Sequence, residues 1–452
     1  MNRLQSTRKA RSAKKLSVVL TIFLLSTLAQ AEISTKKQVA TWRKQIKQAL
    51  FIPDPLPKLR TESYSTFNPT PEVTAERISY LTEYGVRVPA IVYHPTAGSK
   101  IKLPAMVLVN GHGADKSSWY SYYTAILYAG LGAVVLTYDP IGAGESNDDR
   151  KAGAGEHDTK ILDPPTMPAR IGGRMITDIM QGVSYLSQRH DVDPHRIAVL
   201  GFSMGSFTSV LAGAVDPRIH ALLLTGGGDI DGPDGYWDRS AIMCQGGPYR
   251  ALAFLGARAE VLYTLNAQRG DTFIINGTDD TVVDIPHHEQ DFFDALRIRV
   301  LELNGSDTGV FTTYFDPGAS HRPNWMTLTA ADWLNRNLHF PNWPTQAPPP
   351  TEPMRLWADR VGYTLRASSA REDRDAGLQI LTANVPLLTQ DQLSILSPTV
   401  WQQRKAEFVY STWVTRALAD ARSKPSTIPP PPNPKPVSLA EVDRVRSIYD
   451  SG

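Results

Sequence analysis

The stretch that decides the fold is Arg196-Ile197-Ala198-Val199-Leu200-Gly201-Phe202-Ser203-Met204-Gly205-Ser206. Its first half is an apolar run that favours a strand, and small residues after it predict a helix from Ser206 to Ala214. Between them lies Gly-x-Ser-x-Gly, a pattern that in this setting is typical of a nucleophile elbow. Side chains at positions 201 and 205 would collide with the neighbouring strand and helix. We therefore expect Ser203 to be a nucleophile at the top of a sheet, with an ordinary strand–helix turn as the alternative.

The composition is that of a globular protein. The chain has 452 residues, of which 42% are hydrophobic and 20% are charged. A chain of this length can bury one large core and support a smaller unit beside it.

The N-terminal segment has the features of a secretory signal peptide. A basic region precedes the apolar run Leu16 to Leu28, which is too short to span a bilayer comfortably, and Ala29-Gln30-Ala31 follows. We predict cleavage after Ala31, with an uncleaved anchor as the alternative. Residues 1–31 carry six of the 47 Lys and Arg and none of the 45 Asp and Glu, so their removal changes the net charge from +2 to −4.

Cys244 is the only cysteine, which excludes an intramolecular disulfide and a cysteine-based metal site. We expect this thiol to be buried and inert rather than nucleophilic. Export without disulfides suits a protein that is periplasmic or secreted from a bacterium. No basic patch indicates a nucleic-acid partner, no membrane association is expected after signal cleavage, and nothing indicates a metal or organic cofactor.

The pattern along the chain predicts an α/β fold with a doubly wound, mostly parallel sheet over residues 73–340. Residues 32–72 are expected to form a short amphipathic helix and a Pro-rich strap, and residues 73–93 a hairpin at the edge of the sheet with its turn at Tyr84-Gly85. The expected strands after the hairpin are Ala105–Val109, Ala133–Tyr138, Arg196–Leu200, Ala221–Thr225, Thr272–Asn276 and Val310–Phe315. The expected helices between and after them are Tyr120–Ala129, Arg174–Gln188 and Thr327–Leu338.

The remainder of the chain has a different composition. Residues 341–353 form a Pro-rich linker, and residues 354–452 predict a helical extension that contains a second Pro-rich segment, 425–436. Ser397-Pro398 is a helix start, and a capping-box pattern at Ser438 predicts a terminal helix. The extension contains no chemical constellation, so we expect a helical cap or docking element.

A serine nucleophile needs a base, and the base needs an orienting acid. Asp279 and Asp280 follow the expected strand Thr272–Asn276, at the end of the sheet where a site would lie. We prefer Asp280, because it lies three residues after Gly277 and three before Val283, which leaves room for the loop to turn. Asp279 is the alternative.

His321 follows the last expected strand and is preceded by small residues that allow its loop to fold back. Histidine suits the role of a base, because a free imidazole accepts and returns a proton near neutral pH. His287 and His288 are alternatives, but they lie at the start of a probable helix and suit its surface better. With Glu289 they have the wrong spacing for a metal site on one helix face.

An oxyanion would need two backbone N–H donors. We expect them from Met204, directly after the nucleophile, and from His112 in the loop Asn110-Gly111-His112-Gly113. The His112 side chain could alternatively line the pocket. Gly142-Ala143-Gly144-Glu145-Ser146 suits a tight turn at the pocket floor, because it lacks the Gly-Lys-Ser/Thr of a phosphate loop. The loops 145–170 and 226–268 are expected to shape the pocket.

Together these pieces resemble the α/β-hydrolase superfamily over about residues 75–340. Val192-Asp193-Pro194-His195-Arg196-Ile197 and Asp216-Pro217-Arg218-Ile219 are similar to its dienelactone-hydrolase, acetyl-xylan-esterase and prolyl-oligopeptidase-like branch. The other matching pieces are residues 108–113, 138–146, the elbow, 277–283 and 318–321. Many relatives have His-Gly where this chain has Asn110-Gly111, a change that leaves the backbone donors intact.

The resemblance and the three side chains imply an exported serine hydrolase that cleaves small-molecule or carbohydrate esters through an acyl-enzyme. A serine peptidase of the prolyl-oligopeptidase type would use the same three residues and is the first alternative. A non-catalytic binding protein is the second.

Overall fold

The computed structural model describes residues 36–151, 156–157, 161, 163–230, 243–286, 290–305, 309–365 and 377–423. The expected signal peptide, His287, His288, the Pro-rich segment 425–436, the terminal helix and the side chain of Cys244 lie outside the described residues.

Nine strands form one central sheet. They are β1 Glu62–Thr70, β2 Val73–Leu81, β3 Arg87–Pro95, β4 Leu103–Val109, β5 Val134–Tyr138, β6 Val192–Phe202, β7 Ala221–Thr225, β8 Asp271–Gly277 and β9 Phe311–Asp316. Their order is β1-β2-β3-β5-β4-β6-β7-β8-β9. The pairs from β5 to β9 are parallel, and β1, β2, β3 and β5 pair antiparallel. The predicted mostly parallel, doubly wound sheet is confirmed.

Eight of the described helices, which precede the C-terminal extension in the chain, pack on the two faces of this sheet. They are α1 Lys36–Ala49, α2 Trp119–Gly130, α3 Met167–Gln188, α4 Met204–Val215, α5 Met243–Ala251, α6 Arg258–Ala267, α7 Gln290–Asn304 and α8 Leu328–Leu338. Alternate residues of a strand face opposite layers. Val107 packs in the core with α3 and α4, and its neighbours Met106 and Leu108 pack in the core with α2 and α8. Because both faces are covered, the central strands are continuously apolar.

The expectation that the hairpin of β2 and β3 forms the sheet edge is wrong. β1 pairs with the outer side of β2, from Glu62 opposite Ser79 to Thr70 opposite Val73. Most residues of β1 are polar, so its sequence has no alternation of apolar residues that would indicate a strand. In the structure none of its residues is fully buried. Its proline, Pro69, also argues against a strand except at an edge, which is where it lies.

Other elements extend beyond their expected limits. Helix α3 begins at Met167, seven residues before the expected start at Arg174, and its first turns contain Gly172-Gly173, which favour helix poorly. A Cβ at Gly173 would lie 1.8 Å from the carbonyl oxygen of Leu50, so the contact with the end of α1 requires glycine there. Helices α5 and α6 occupy much of the segment 226–268, which was expected to be a loop.

The elbow is a site of very close backbone packing. Ser203 has φ 54° and ψ −119°, a backbone conformation that residues other than glycine rarely adopt. A Cβ at Gly205 would lie 2.0 Å from the carbonyl oxygen of Val109, and one at Gly201 would lie 2.5 Å from that of Gly205. These distances show why the turn from β6 into α4, packed against β4, requires both glycines.

The C-terminal extension packs directly on the sheet domain. Its helices are α9 Met354–Val361, α10 Gln390–Leu393, α11 Pro398–Arg404 and α12 Tyr410–Ser423. Trp357 of α9 is fully buried in the same core as α2 and α8. A two-stranded sheet of β10 Thr351–Pro353 and β11 Gln379–Leu381 was not expected, since three-residue strands are too short to show a pattern. Within the described residues, no helix is both long and apolar enough to cross a membrane.

Helix α12 contacts the sheet domain through the buried carboxyl group of Glu83. Glu83 accepts a hydrogen bond from the indole N–H of Trp413 (3.3 Å) and one from the hydroxyl of Thr177 (2.8 Å). Burial raises the pKa of Glu83 to about 7. Arg174 nearby opposes that rise but does not cancel it.

Replacing Gly205 with alanine tests the close packing at the elbow. We expect Gly205→Ala to lower the free energy of unfolding by about 2 kcal/mol or more, because backbone must move to admit the Cβ. Gly98→Ala is the matched control, because a Cβ at this exposed position would meet nothing within 4 Å. Urea denaturation measures both changes. Equal stability of the two variants would contradict the packing described here.

Replacing Glu83 with glutamine tests the buried carboxyl group. A folded-state pKa above the ordinary value of 4.5 means that this group favours folding below about pH 4.5 and loses that contribution as the pH rises through 7. The stability of Glu83→Gln relative to the natural protein should therefore rise between pH 5 and 8, by up to about 3 kcal/mol. Urea denaturation across this range, with the exposed Glu72→Gln as control, makes the measurement. Parallel stability curves would exclude a raised pKa.

Candidate active site

The carboxyl ends of five adjacent parallel strands lie at one edge of the sheet. The segments that leave β4, β6, β7, β8 and β9 there carry Asn110 to Gly113, Ser203, Gly226, Asp280 and His321. In open parallel sheets this edge is where ligands bind, because loops from neighbouring strands meet there.

Asp280 and His321 are in direct contact. The Nδ1 atom of His321 lies 2.8 Å from Oδ2 of Asp280, and the two side chains are 4% and 0% exposed. The other carboxylate oxygen of Asp280 accepts hydrogen bonds from the backbone N–H groups of Val282 (3.0 Å) and Val283 (3.3 Å). The structure thus places Asp280, and not the exposed neighbouring Asp279, against the imidazole.

The loop that carries His321 is fixed on both sides. A Cβ at Gly277 would lie 2.1 Å from the carbonyl oxygen of Ala319, and that oxygen accepts a hydrogen bond from the N–H of Asp279 (2.9 Å). After the histidine, the indole N–H of Trp325 donates to the carbonyl oxygen of Gly201 in the elbow (3.2 Å). The strand ends of β8 and β6 therefore hold this loop between them.

Phe202 and the end of β7 connect the surroundings of Ser203 and His321. The ring of Phe202 lies on the imidazole of His321, with centroids 4.9 Å apart and planes tilted by 37°. Gly226 has φ 57°, and a Cβ there would lie 2.9 Å from both the Phe202 ring and Cε1 of His321. The N–H of Ser203 donates to the carbonyl oxygen of Thr225 (3.0 Å). The end of β7 thus passes directly beside both residues.

The loop between β4 and α2 approaches the serine from the other side. A Cβ at Gly111 would lie 3.2 Å from Cβ of Ser203, which places His112 one residue away from this contact. The ring of His112 meets His157 edge to face, with centroids 5.2 Å apart. Met204 is the first residue of α4, and backbone N–H groups in a first helical turn have no acceptor within the helix.

Phe202 and Asn276 also belong to this site, although neither was expected there from the sequence. Asn276 is fully buried near the end of β8, where its side-chain oxygen accepts from the N–H of Gly227 (2.8 Å) and its amide donates to the carbonyl oxygen of Gly227 (3.0 Å). It thereby fixes the segment after Gly226. A polar residue ending a buried apolar strand is the signal that could have indicated it.

Across the part of the chain that the structure describes, no three His, Cys, Asp or Glu side chains gather in a way that could hold a metal ion. The imidazole of His321 and the carboxylate of Asp280 are in contact at this edge, where the turn at Ser203 also lies.

Two sequence families match the chain. The model of the acetyl xylan esterase (AXE1) family matches residues 40–225, and that of the prolyl oligopeptidase family matches residues 166–343. The first match contains the elbow, and the second contains Ser203, Asp280 and His321.

Individual relatives are more distant. An uncharacterised protein of Pseudomonas aeruginosa is 25% identical over 212 residues, which are 47% of this chain and 50% of that protein. A thiohydrolase of Arthrinium phaeospermum is 26% identical over 149 residues, which are 33% of this chain and 42% of the relative. The matched region thus spans half or less of the length of these two relatives.

A solved structure shows the shared architecture over most of the chain. The structure of a methylesterase aligns with a TM-score of 0.55 at 18% identity, and the alignment covers 89% of this chain and 79% of the methylesterase. With the mostly parallel sheet described above, this likeness shows that the chain has the α/β-hydrolase fold.

Proposed function

We propose that this chain is a serine hydrolase that cleaves carboxylic esters through an acyl-enzyme. The observation that carries the proposal is the buried contact between Asp280 and His321, at 2.8 Å, beside the strained turn that presents Ser203. The family matches and the fold support ester hydrolysis.

The hydrogen bond to Asp280 sets the roles of the two imidazole nitrogens. An ionised carboxylate only accepts hydrogen bonds, so Nδ1 of His321 carries the proton and Nε2 carries the lone pair. In the proposed first step, Nε2 takes the proton from the Ser203 hydroxyl while Oγ attacks the ester carbonyl carbon. Asp280 holds the ring in this tautomer and stabilises the imidazolium that forms.

The negative charge on the carbonyl oxygen needs donors that are already in place. We assign them to the backbone N–H groups of His112 and Met204. The approach of Gly111 to Ser203 and the position of Met204 at the start of α4 support this assignment. When the tetrahedral intermediate collapses, the alkoxy group leaves as an alcohol with the proton from His321, and the acyl group remains on Ser203.

The second half of the reaction reverses these roles. His321 takes a proton from a water molecule, whose oxygen attacks the acyl carbon, and the proton then returns to Oγ as the bond to Ser203 breaks. The products are one carboxylic acid and one alcohol, and the enzyme is regenerated.

We propose small-molecule or carbohydrate esters as the substrate class, since the acetyl xylan esterase family matches the segment that contains the elbow. The match to the prolyl oligopeptidase family keeps a peptidase as the second candidate. Peptidases of that type enclose peptides beneath a propeller, whereas the sheets of the described residues are the nine-stranded sheet and one short two-stranded sheet. Comparing a p-nitrophenyl ester with a proline-containing amide separates the candidates.

We also propose that the protein is exported, with residues 1–31 removed as a signal peptide and the mature chain periplasmic or secreted. The basic region, the apolar run and the Ala29-Gln30-Ala31 site support this.

Replacing Ser203 with alanine tests the nucleophile. We expect kcat for p-nitrophenyl acetate to fall by a factor of about 10⁴ or more, because no acyl-enzyme can form. Thermal denaturation should show that the variant is folded. Hydrolysis at the rate of the natural protein would refute the mechanism.

The adjacent aspartates offer a matched pair of variants. Asp280→Asn should lower kcat by a factor of about 10³ to 10⁴, because an amide no longer selects the imidazole tautomer, while KM stays nearly constant. Asp279→Asn removes the same charge one residue away, at an exposed position, and should change kcat by less than about twofold. Steady-state kinetics compares them. Equal losses in both variants would mean that His321 is not oriented by Asp280.

A further inference from the structure

The C-terminal extension reaches a buried charge cluster next to the loop that carries His112. Lys116, four residues after His112, forms ion pairs with Asp139 and with Glu145, the latter at 2.8 Å. The three side chains are 4%, 0% and 2% exposed. One ammonium group is thus buried with two carboxylates, which is costly unless every carboxylate oxygen has a donor.

Hydrogen bonds from the extension supply the donors that Glu145 needs. The backbone N–H of Ile395 donates to the same oxygen of Glu145 that Lys116 contacts (2.8 Å), and the N–H of Leu396 donates to the other oxygen (3.3 Å). The indole N–H of Trp401 donates to the backbone carbonyl of Glu145 (3.1 Å).

Asp139, by contrast, is satisfied within the sheet domain. Its carboxylate accepts from the backbone N–H groups of Lys116 (3.2 Å) and Glu145 (2.8 Å). Within the described residues, the extension therefore donates hydrogen bonds to the carboxylate of Glu145 and not to that of Asp139.

The extension also holds the far end of the same loop. Trp119, the first residue of α2, packs against Trp357 of the extension with centroids 5.6 Å apart. The next residue, Tyr120, packs edge to face on Phe202 beside the nucleophile, at 5.5 Å. The hydroxyl of Tyr123 donates to the carbonyl oxygen of Leu381 in β11 (2.7 Å). The loop 110–118 is thus held by the extension at Lys116 through Glu145 and at its junction with α2.

We propose that the C-terminal extension positions the oxyanion loop, residues 110–118, and that Glu145 is the positioning residue through which it acts. This inference rests on the proposed function, since it assigns the loop its role in binding the oxyanion. Without the donors at Ile395 and Leu396, Glu145 is poorly solvated, the pairing with Lys116 is loosened, and the N–H of His112 is no longer held beside Ser203. A displacement of a donor by about 1 Å is enough to lower a rate by roughly 10²-fold.

The test uses the full chain with Glu145→Gln, which keeps the size of the side chain and removes its charge. We expect kcat for p-nitrophenyl acetate to fall by about 10- to 100-fold with KM changed by less than about threefold, since transition-state contacts are lost and ground-state contacts are kept. Hydrogen exchange of the amides in residues 110–118 should become faster. Glu302→Gln is the control, because Glu302 pairs with Arg299 (3.0 Å) at the surface of α7, and it should change neither quantity.

Trp401→Phe is a second variant, for use if Glu145→Gln fails to fold. It keeps a buried aromatic ring and removes the N–H that donates to the backbone carbonyl of Glu145, together with part of the indole ring. We expect the same two changes at smaller size, about two- to fivefold in kcat. A folded variant of either kind with natural kcat and natural exchange in residues 110–118 would overturn the proposal, as would lower stability or faster exchange with natural kcat.

The two proposals fail in different ways. If the natural protein shows no hydrolysis that depends on Ser203, the proposed function fails, and the exchange measurement alone decides whether the extension orders this loop. If hydrolysis depends on Ser203 but is insensitive to Glu145 and Trp401, only the positioning role fails.

Discussion

The candidate site depends on how closely backbone segments approach one another where the parallel strands end. Beside Val109 at the end of β4, near Ala319 before the histidine, and beside His321 itself, a Cβ would lie within 3 Å of an atom of another segment. Glycine stands at each of these contacts, at positions 205, 277 and 226. Because these contacts leave no space, the turn that carries the serine and the loop that carries the histidine are packed tightly against the ends of the strands.

Much of this architecture could be predicted from the sequence, for a physical reason. Strands buried on both faces are continuous apolar runs, and their alternation with helices forces parallel pairing, so residues directly after the runs must meet at one edge. That reasoning selected Ser203, His321 and the pair Asp279 and Asp280. The spacing of the loop favoured Asp280 but left Asp279 as an alternative, because neighbouring residues in an irregular loop have no periodicity that tells which one points inward. Which aspartate contacts His321 depends on the tertiary structure of the two loops.

Two other features could not be predicted because they depend on long-range contacts. β1 is half-exposed and polar, and it is a strand because β2 offers it an edge, not because of its own pattern. The contact between Glu145 and Ile395 joins residues 250 positions apart. From the sequence, residues 142–146 were expected to form only a turn, and no chemical role was expected for the extension. In the structure, backbone N–H groups of the extension donate to the buried carboxylate of Glu145. Glu145 in turn pairs with Lys116, so the extension contacts the surroundings of the candidate site.

We propose that Ser203 is an activated nucleophile. Reaction with a fluorophosphonate, followed by intact mass measurement and peptide mapping, tests it most directly, because such reagents trap a serine whose proton an adjacent base removes. We expect a single phosphonyl adduct per chain, located on Ser203 and absent when His321 is replaced by alanine. An unmodified protein, or an adduct on another residue with Ser203 unlabelled, would contradict it.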